Sequence, residues 1–77
     1  MNSNYEKKLG QKIRNIRESQ HMTQEQLAAK LQLNSCDITR SALAKIEVGQ
    51  RHIYPDEICL FRKIFNITYD ELFPNDI

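Results

Sequence analysis

The sequence predicts an all-α domain made of five short helices. Apolar residues recur at helical spacing in five segments, capping and helix-breaking residues separate these segments, and the alternating pattern of a β-strand is nearly absent. The chain has 77 residues, of which 40% are hydrophobic and 27% charged, as in an ordinary folded domain. Because no low-complexity tract or Pro/Gly/Ser-rich linker divides it, we expect one domain over residues 1–77.

Helix 1 is predicted from Ser3, which has capping-box spacing with Glu6, to about Ser19. The residues of its apolar stripe are Tyr5, Leu9, Ile13 and Ile16. Gly10 lies inside this helix, where glycine costs about 1 kcal/mol relative to alanine. A close contact with another helix at this point would explain the glycine.

Helices 2 and 3 are predicted from their capping residues. Helix 2 begins after Thr23, which forms a second capping box with Gln26, and is expected to end near residue 30 or 31. Its buried residues are Leu27, Ala28 and Leu31. After a polar, aperiodic segment at residues 32–38, Thr39 is the expected N-cap of helix 3, which runs to about residue 48 and stops at Gly49.

Helices 4 and 5 are also predicted from their first residues and their apolar spacing. Pro55 suits the first position of helix 4. The next two residues are acidic, and their negative charge is stabilised by the positive end of the helix dipole. The apolar face of helix 4 consists of Ile58, Phe61, Ile64 and Phe65. A third capping box, Thr68 with Glu71, opens helix 5, which carries Leu72 and Phe73 and ends before Pro74.

The outward side of helix 3 is the main functional candidate. At about 100° per residue, Ala42, Leu43 and Ile46 share the buried side. The opposite side presents two cations, a hydroxyl and a methyl group, from Arg40, Ser41, Ala44 and Lys45. These groups can bond guanine or another base edge and contact a thymine methyl in the major groove. An ordinary solvated helix face has the same pattern, so this face alone does not decide the function.

The surroundings of helix 3 favour DNA. Gln24 opens helix 2, where free backbone N–H groups and the helix dipole suit a phosphate. Gln50 and Arg51 follow Gly49 in a loop within reach of the same DNA backbone. Residues 1–52 contain nine Lys and Arg against five Asp and Glu, whereas residues 53–77 contain two against five. A basic amino-terminal part can present one positive face to DNA even though the net charge is only +1.

Other functions have less support in the sequence. No nucleophile, base and orienting group are clustered, so we expect no catalytic site, no cofactor and no small-molecule substrate. Cys36 and Cys59 are far apart, and His21 and His52 are interpreted as a helix-joining and a solvated loop residue, so no metal site is expected. Free thiols are the simplest interpretation, with a redox-sensing pair as the alternative. The longest apolar run, residues 58–61, predicts no membrane contact and a cytoplasmic protein.

Four motifs have a familiar order and spacing: IRNIRE at residues 13–18, MTQEQLA at 22–28, RSALAKIE at 40–47 and ITYDELF at 67–73. Together with Gly49 they resemble the phage-repressor/Cro (XRE-like) type of helix-turn-helix, over about residues 9–73. The resemblance implies a lambda-repressor-like bundle of five helices in which helices 2 and 3 form the motif, at about residues 23–47. It also implies a transcriptional repressor that binds double-stranded DNA as a homodimer on a palindromic operator.

The resemblance implies roles for individual residues as well. Gln24 would contact phosphate, Lys45 would face bases or backbone, and Arg17 would pair with Glu47 to join helix 1 to helix 3. The residues expected to contact DNA are Gln24, Thr39, Arg40, Ser41, Ala44, Lys45, Gln50 and Arg51. One departure from the family is a turn about five residues longer than usual, at residues 34–38 with Cys36 at its centre. This turn is either a simple loop or a further contact with DNA or a partner.

The main alternative is a protein-interaction module on a helix-turn-helix scaffold, such as an antitoxin-like or adaptor protein. Its contact residues would lie in the acidic carboxy-terminal part, at Leu60, Phe73 and Ile77. For a DNA-binding homodimer, the expected pairing surface is helix 5 with Leu72, Phe73 and the tail to Ile77. Removal of residues 72–77 is then expected to leave a folded monomer.

Overall fold

The computed structural model describes residues 3–75, and this part of the chain is all-helical. Its five helices are α1 (Ser3–Ser19), α2 (Gln24–Leu33), α3 (Arg40–Glu47), α4 (Pro55–Phe65) and α5 (Tyr69–Leu72). The predicted five-helix, all-α class is therefore confirmed. The Ser3 side chain, expected to cap helix 1, and Ile77 lie outside what the structure describes. Within residues 3–75, no helix is both long enough and apolar enough to cross a membrane.

Side-chain caps begin the helices where the sequence predicts them. The Thr23 hydroxyl accepts a hydrogen bond from the Gln26 backbone N–H at 3.1 Å, and the Gln26 side chain accepts one from the Thr23 N–H at 2.9 Å. Thr68 and Glu71 form the same reciprocal pair at α5. Each box satisfies N–H groups that the first turn of a helix leaves without a partner.

A residue in the left-handed backbone conformation follows each of the first four helices. These residues are His21, Ser35, Gly49 and Asn66, with φ angles of 59°, 62°, 79° and 56°. After α2, for example, the Cys36 N–H donates back to the Leu31 carbonyl at 3.1 Å, which is the bond of a Schellman stop. This stop lies at Ser35, so α2 extends to Leu33, two or three residues beyond the predicted end.

All five helices contribute to one hydrophobic core. Its buried members are Leu9, Ile13, Leu27, Leu31, Cys36, Ile38, Leu43, Ile46, Ile53, Ile58, Phe61, Phe65 and Leu72. Most of the predicted apolar stripes thus point inward, while Ile16 and Ile64 pack against the core as partly buried residues. The core holds α3 against α1 and α2, and it holds α4 on the same two helices.

The long turn between α2 and α3 is part of this core. Cys36 and Ile38 are only 8% and 1% exposed, although the segment is polar and aperiodic in sequence. The Gln32 side chain also donates to the Ile38 carbonyl at 3.4 Å. The turn is therefore anchored at two points, and α3 starts from a fixed position.

Gly10 marks the closest approach of α1 to α3. A Cβ atom at Gly10 would overlap the carbonyl oxygen of Ile46 and lie 3.0 Å from its carbonyl carbon. A side chain at residue 10 would therefore push the two helices apart. This explains the glycine inside helix 1, as the sequence suggested.

Candidate nucleic-acid interface

Thr39 sets the start of α3. Its backbone is extended (φ −81°, ψ 170°), and its hydroxyl oxygen accepts a hydrogen bond from the Ala42 N–H at 3.2 Å. The hydroxyl hydrogen is not used in this bond, so it can still donate outward. The cap thus fixes the first turn of α3 and adds a polar group beside its outward face.

The outward face of α3 contains the residues that the helical spacing predicts. Arg40, Ser41 and Lys45 are exposed, and Ala44 is half-buried. Leu43 and Ile46, on the inner side, are fully buried. The structure therefore brings two cations and a hydroxyl together on one solvent-facing surface.

A buried ion pair joins this helix to α1. Arg17 donates to both carboxylate oxygens of Glu47, from Nε at 2.8 Å and from Nη2 at 3.1 Å, while its Nη1 donates to the Met22 carbonyl at 2.8 Å. Both side chains are almost inaccessible to solvent. The hydrogen bonds to Glu47 raise the pKa of Arg17 against the opposing effect of burial. Each charge is satisfied, so the pair fixes the crossing of α1 and α3.

The same carboxylate orients Gln24 at the amino terminus of α2. Gln24 Nε2 donates to Glu47 Oε1 at 3.0 Å, and the Gln24 side chain is partly buried. An amide NH₂ group carries two hydrogens, so one remains for another acceptor. Sequence reasoning placed Gln24 at the interface, but it did not foresee that the carboxylate pairing with Arg17 also positions this amide.

One acidic residue lies beside the outward face. Glu25 Oε1 is 3.8 Å from Arg40 Nε, and both side chains are mostly exposed. A pair with this exposure contributes little to stability. Arg40 can therefore leave Glu25 for a stronger acceptor.

The loop after α3 is held by backbone and side-chain bonds. Gly49 has a positive φ, and the Gln50 N–H donates to the Lys45 carbonyl at 2.8 Å, which ends the helix and leaves the Gln50 side chain exposed. Arg51 forms a two-pronged ion pair with Glu57, at 2.8 and 3.0 Å. The sequence predicts a DNA contact for Arg51, and the same guanidinium fastens the loop to α4.

The loop is also fastened to α1. His52 Nδ1 lies 2.6 Å from Glu6 Oε1, and the same oxygen accepts a hydrogen bond from the Ile53 N–H at 3.4 Å. His52 is thus a half-exposed loop residue in contact with a carboxylate. Among residues 3–75, no group of three or more His, Cys, Asp or Glu is arranged to hold a metal ion.

The surface predicted for pairing at helix 5 needs correction. Leu72 is fully buried in the core, where it cannot meet a partner, so we expect the loss of residues 72–77 to lower the stability of the fold as well. Phe73 is half-buried and stacks on Tyr69, with ring centroids 6.1 Å apart. Leu60 is also half-buried against the core. The short α5, which begins with the Thr68–Glu71 capping box, contributes the buried Leu72 to the core.

The comparisons with known proteins agree with this architecture. A family model described as "Helix-turn-helix" matches residues 13–72. The fold is similar to that in the "Crystal structure of the DNA-binding domain of BldD", with a TM-score of 0.78 and 23% sequence identity over 96% of this chain and 100% of that one. No curated protein sequence matches the chain.

Proposed function

The chain belongs to the helix-turn-helix family, and we propose that it binds double-stranded DNA sequence-specifically as a transcriptional regulator. The observation that carries the proposal is the outward face of α3, where Arg40, Ser41 and Lys45 are exposed together on a helix whose opposite side is fixed in the core. An α-helix fits the major groove, where each base pair shows a distinct set of donors and acceptors.

In this proposal the contacts divide into base reading and positioning. Arg40 donates to a guanine, Ser41 bonds a base edge, Ala44 contacts a thymine methyl, and Lys45 reaches a base or the backbone. Gln24 donates its remaining amide hydrogen to a phosphate at the amino terminus of α2. Thr39 at the start of α3 also contacts the DNA, as do Gln50 and Arg51 in the loop after its end.

We further propose that the protein is a repressor that binds a palindromic operator as a homodimer. The recognition helix has only eight residues, so one copy reads few base pairs. Two copies related by a two-fold axis double the contacts and match an operator with two-fold symmetry. A dimer seated on a promoter blocks access to that DNA by occupancy alone, so repression needs no further domain.

The test is selection of labelled duplexes from a random pool, followed by titration of the selected site at rising salt. We expect a recovered consensus and a steep loss of affinity with salt, because bound cations release counterions from DNA. No enriched sequence together with a flat salt dependence would sink the proposal. Sedimentation of the complex tests the homodimer, since one protein copy on a non-symmetric site contradicts it.

Two substitutions separate base reading from positioning. Arg40→Ala should cost about 1–3 kcal/mol of binding free energy and relax the preference at one base position. Gln24→Ala should weaken all duplexes alike, because a phosphate contact carries no base information. Lys63→Ala, an exposed cation on α4, is the control and should leave both affinity and preference unchanged. An unchanged preference in Arg40→Ala would place the recognition face elsewhere.

A further inference from the structure

A groove of about 500 Å³ runs between α1 and the end of α3. Glu18 on α1 and Glu47 and Val48 at the end of α3 contribute to its lining, and the other α1 residues in it are Lys7, Gln11, Arg14 and Asn15. Lys7, Gln11, Arg14 and Asn15 all carry hydrogen-bond donors, and two of these four residues are cations. None of them is among the residues expected to contact DNA.

The groove continues the outward face of α3. Val48 follows Ser41 by seven residues and Ala44 by four, so the three side chains lie on the same side of the helix. Val48 is 48% exposed, so it leaves an apolar side chain at the surface where α3 ends. A surface that contacts DNA through Ser41 and Ala44 therefore meets this groove at the end of the recognition helix.

Lys7 is held directly beside the turn that ends α3. A Cβ atom added to Gly49 would lie 2.9 Å from the Lys7 Cβ and 3.0 Å from its Cα, so the two backbones nearly touch. The Lys7 stem therefore starts next to the loop that carries Gln50, and Lys7 is an exposed residue. This contact places a cation from α1 beside the loop that is proposed to contact the DNA backbone.

The charges of the groove suit an anion. Its two acidic members are Glu47, which is neutralised by Arg17, and Glu18, which is 3.5 Å from Arg14. The Arg14–Glu18 pair is about half exposed on both sides, so it is weak and a phosphate can replace Glu18. The neighbouring amides of Gln11 and Asn15 offer neutral donors, and the apolar Val48 side chain suits the carbon face of a deoxyribose.

From this arrangement we infer that α1 carries a second backbone-binding surface, in which Lys7 and Arg14 hold DNA phosphates flanking the bases that α3 reads. The inference rests on the proposed function and extends it to residues outside the helix-turn-helix motif. It makes α1 a contributor to affinity and leaves the choice of sequence to α3.

The test compares two double variants that remove the same charge. Lys7→Gln/Arg14→Gln removes both groove cations, and Lys12→Gln/Lys63→Gln removes two cations elsewhere, one of them about 140° around α1 from Lys7. Titration of the selected duplex should show affinity reduced about tenfold or more at low salt for the groove variant. The slope of log affinity against log salt should fall by about one unit for each phosphate that the variant no longer binds. The control variant should keep an affinity and a salt slope close to those of the wild type.

A further variant tests the groove in the opposite direction. Glu18→Gln removes the carboxylate that competes for Arg14, so its affinity should rise a few-fold with the same consensus site. Duplexes trimmed to the bases under α3 should bind wild type and the groove variant equally, because the flanking phosphates are gone. Circular dichroism checks that each variant folds. We expect all of them to fold because every substituted position is at least partly exposed.

The outcomes distinguish the two proposals. If wild type binds a selected site with a steep salt dependence and the groove variant matches the control, the inference is overturned and the proposed function stands. If wild type selects no sequence and shows no salt dependence, the proposed function fails and the inference fails with it. A weakened groove variant with an altered consensus would also contradict the inference, because it would place α1 residues at the bases.

Discussion

Glu47 connects three helices of the candidate interface. Its carboxylate accepts three hydrogen bonds, two from Arg17 on α1 and one from Gln24 on α2, while its own backbone ends α3. Removing two charges from water is costly, so such a pair fixes geometry more than it adds stability. Here these hydrogen bonds fix the position of Gln24, the expected phosphate contact, relative to α3.

Gly10 also lies at the contact between α1 and α3, and we predict that this position does not tolerate even one methyl group. Gly10→Ala should lower the free energy of unfolding by about 1–3 kcal/mol, because the Cβ collides with the Ile46 backbone, which cannot rotate away. Helix propensity alone would give the opposite sign, a gain of about 1 kcal/mol. Urea denaturation measures the change.

Asn15→Ala on the exposed side of α1 is the matched control for Gly10→Ala, and it should be neutral or slightly stabilising. A Gly10→Ala variant as stable as wild type would mean that α1 and α3 separate without cost. The close approach would then have no energetic role.

Among the elements, the turn between α2 and α3 differs most from its appearance in sequence. Its length resembles that of a surface loop, yet it inserts Cys36 and Ile38 into the core on either side of the exposed Asp37. The left-handed Ser35 makes this possible, since it reverses the chain immediately after α2. The turn therefore supports the first residues of α3 rather than extending away from them.

The stability of this element can be tested by truncating its anchor. Ile38→Ala should destabilise the protein by about 2–5 kcal/mol, as expected for a fully buried aliphatic side chain that leaves a cavity. Asp37→Ala, at the exposed neighbouring position, should change stability by less than about 0.5 kcal/mol. Thermal and urea unfolding of both variants give the comparison, and equal effects would show that the turn is not anchored.

In the whole molecule, hydrogen-bonded carboxylates fasten the loop after α3 and the start of α5. Partial burial acts to raise the pKa of Glu57, but hydrogen bonds from Arg51 and from the Tyr54 N–H outweigh it and bring the pKa below its ordinary value of 4.5. Hydrogen bonds from the Thr68 backbone N–H and hydroxyl lower the pKa of Glu71 as well. Both carboxylates therefore hold their charge more firmly in the folded chain than in the unfolded chain.

The resulting prediction is acid sensitivity. A carboxylate with a lower pKa in the folded state contributes its full stabilisation above the unfolded value of 4.5, and this contribution is lost as the pH falls through the folded pKa. The free energy of unfolding should thus decrease in urea titrations between about pH 5 and pH 3. Glu57→Gln should remove part of this decrease, whereas Glu25→Gln, at a side chain that is 79% exposed, should not. An identical pH dependence in wild type and Glu57→Gln would contradict the prediction.

The local structure of this protein can be predicted from its sequence. Threonine caps, Pro55, Gly49 and the apolar spacing predict all five helices and the face of α3 that points outward, because caps and helical periodicity depend on residues within a turn or two of each other. The Arg17–Glu47 pair was expected from family resemblance, and the structure contains it.

Other contacts between separate elements of the chain follow from the tertiary structure alone. The fold buries Leu72 and the centre of the long turn, pairs Arg51 with Glu57, and sets Lys7 against Gly49. These contacts depend on how the helices cross, and the same exposed or apolar pattern in sequence allows several crossings. The shared core of α1, α2 and α3 selects one of them, and that choice sets α1 beside the end of α3.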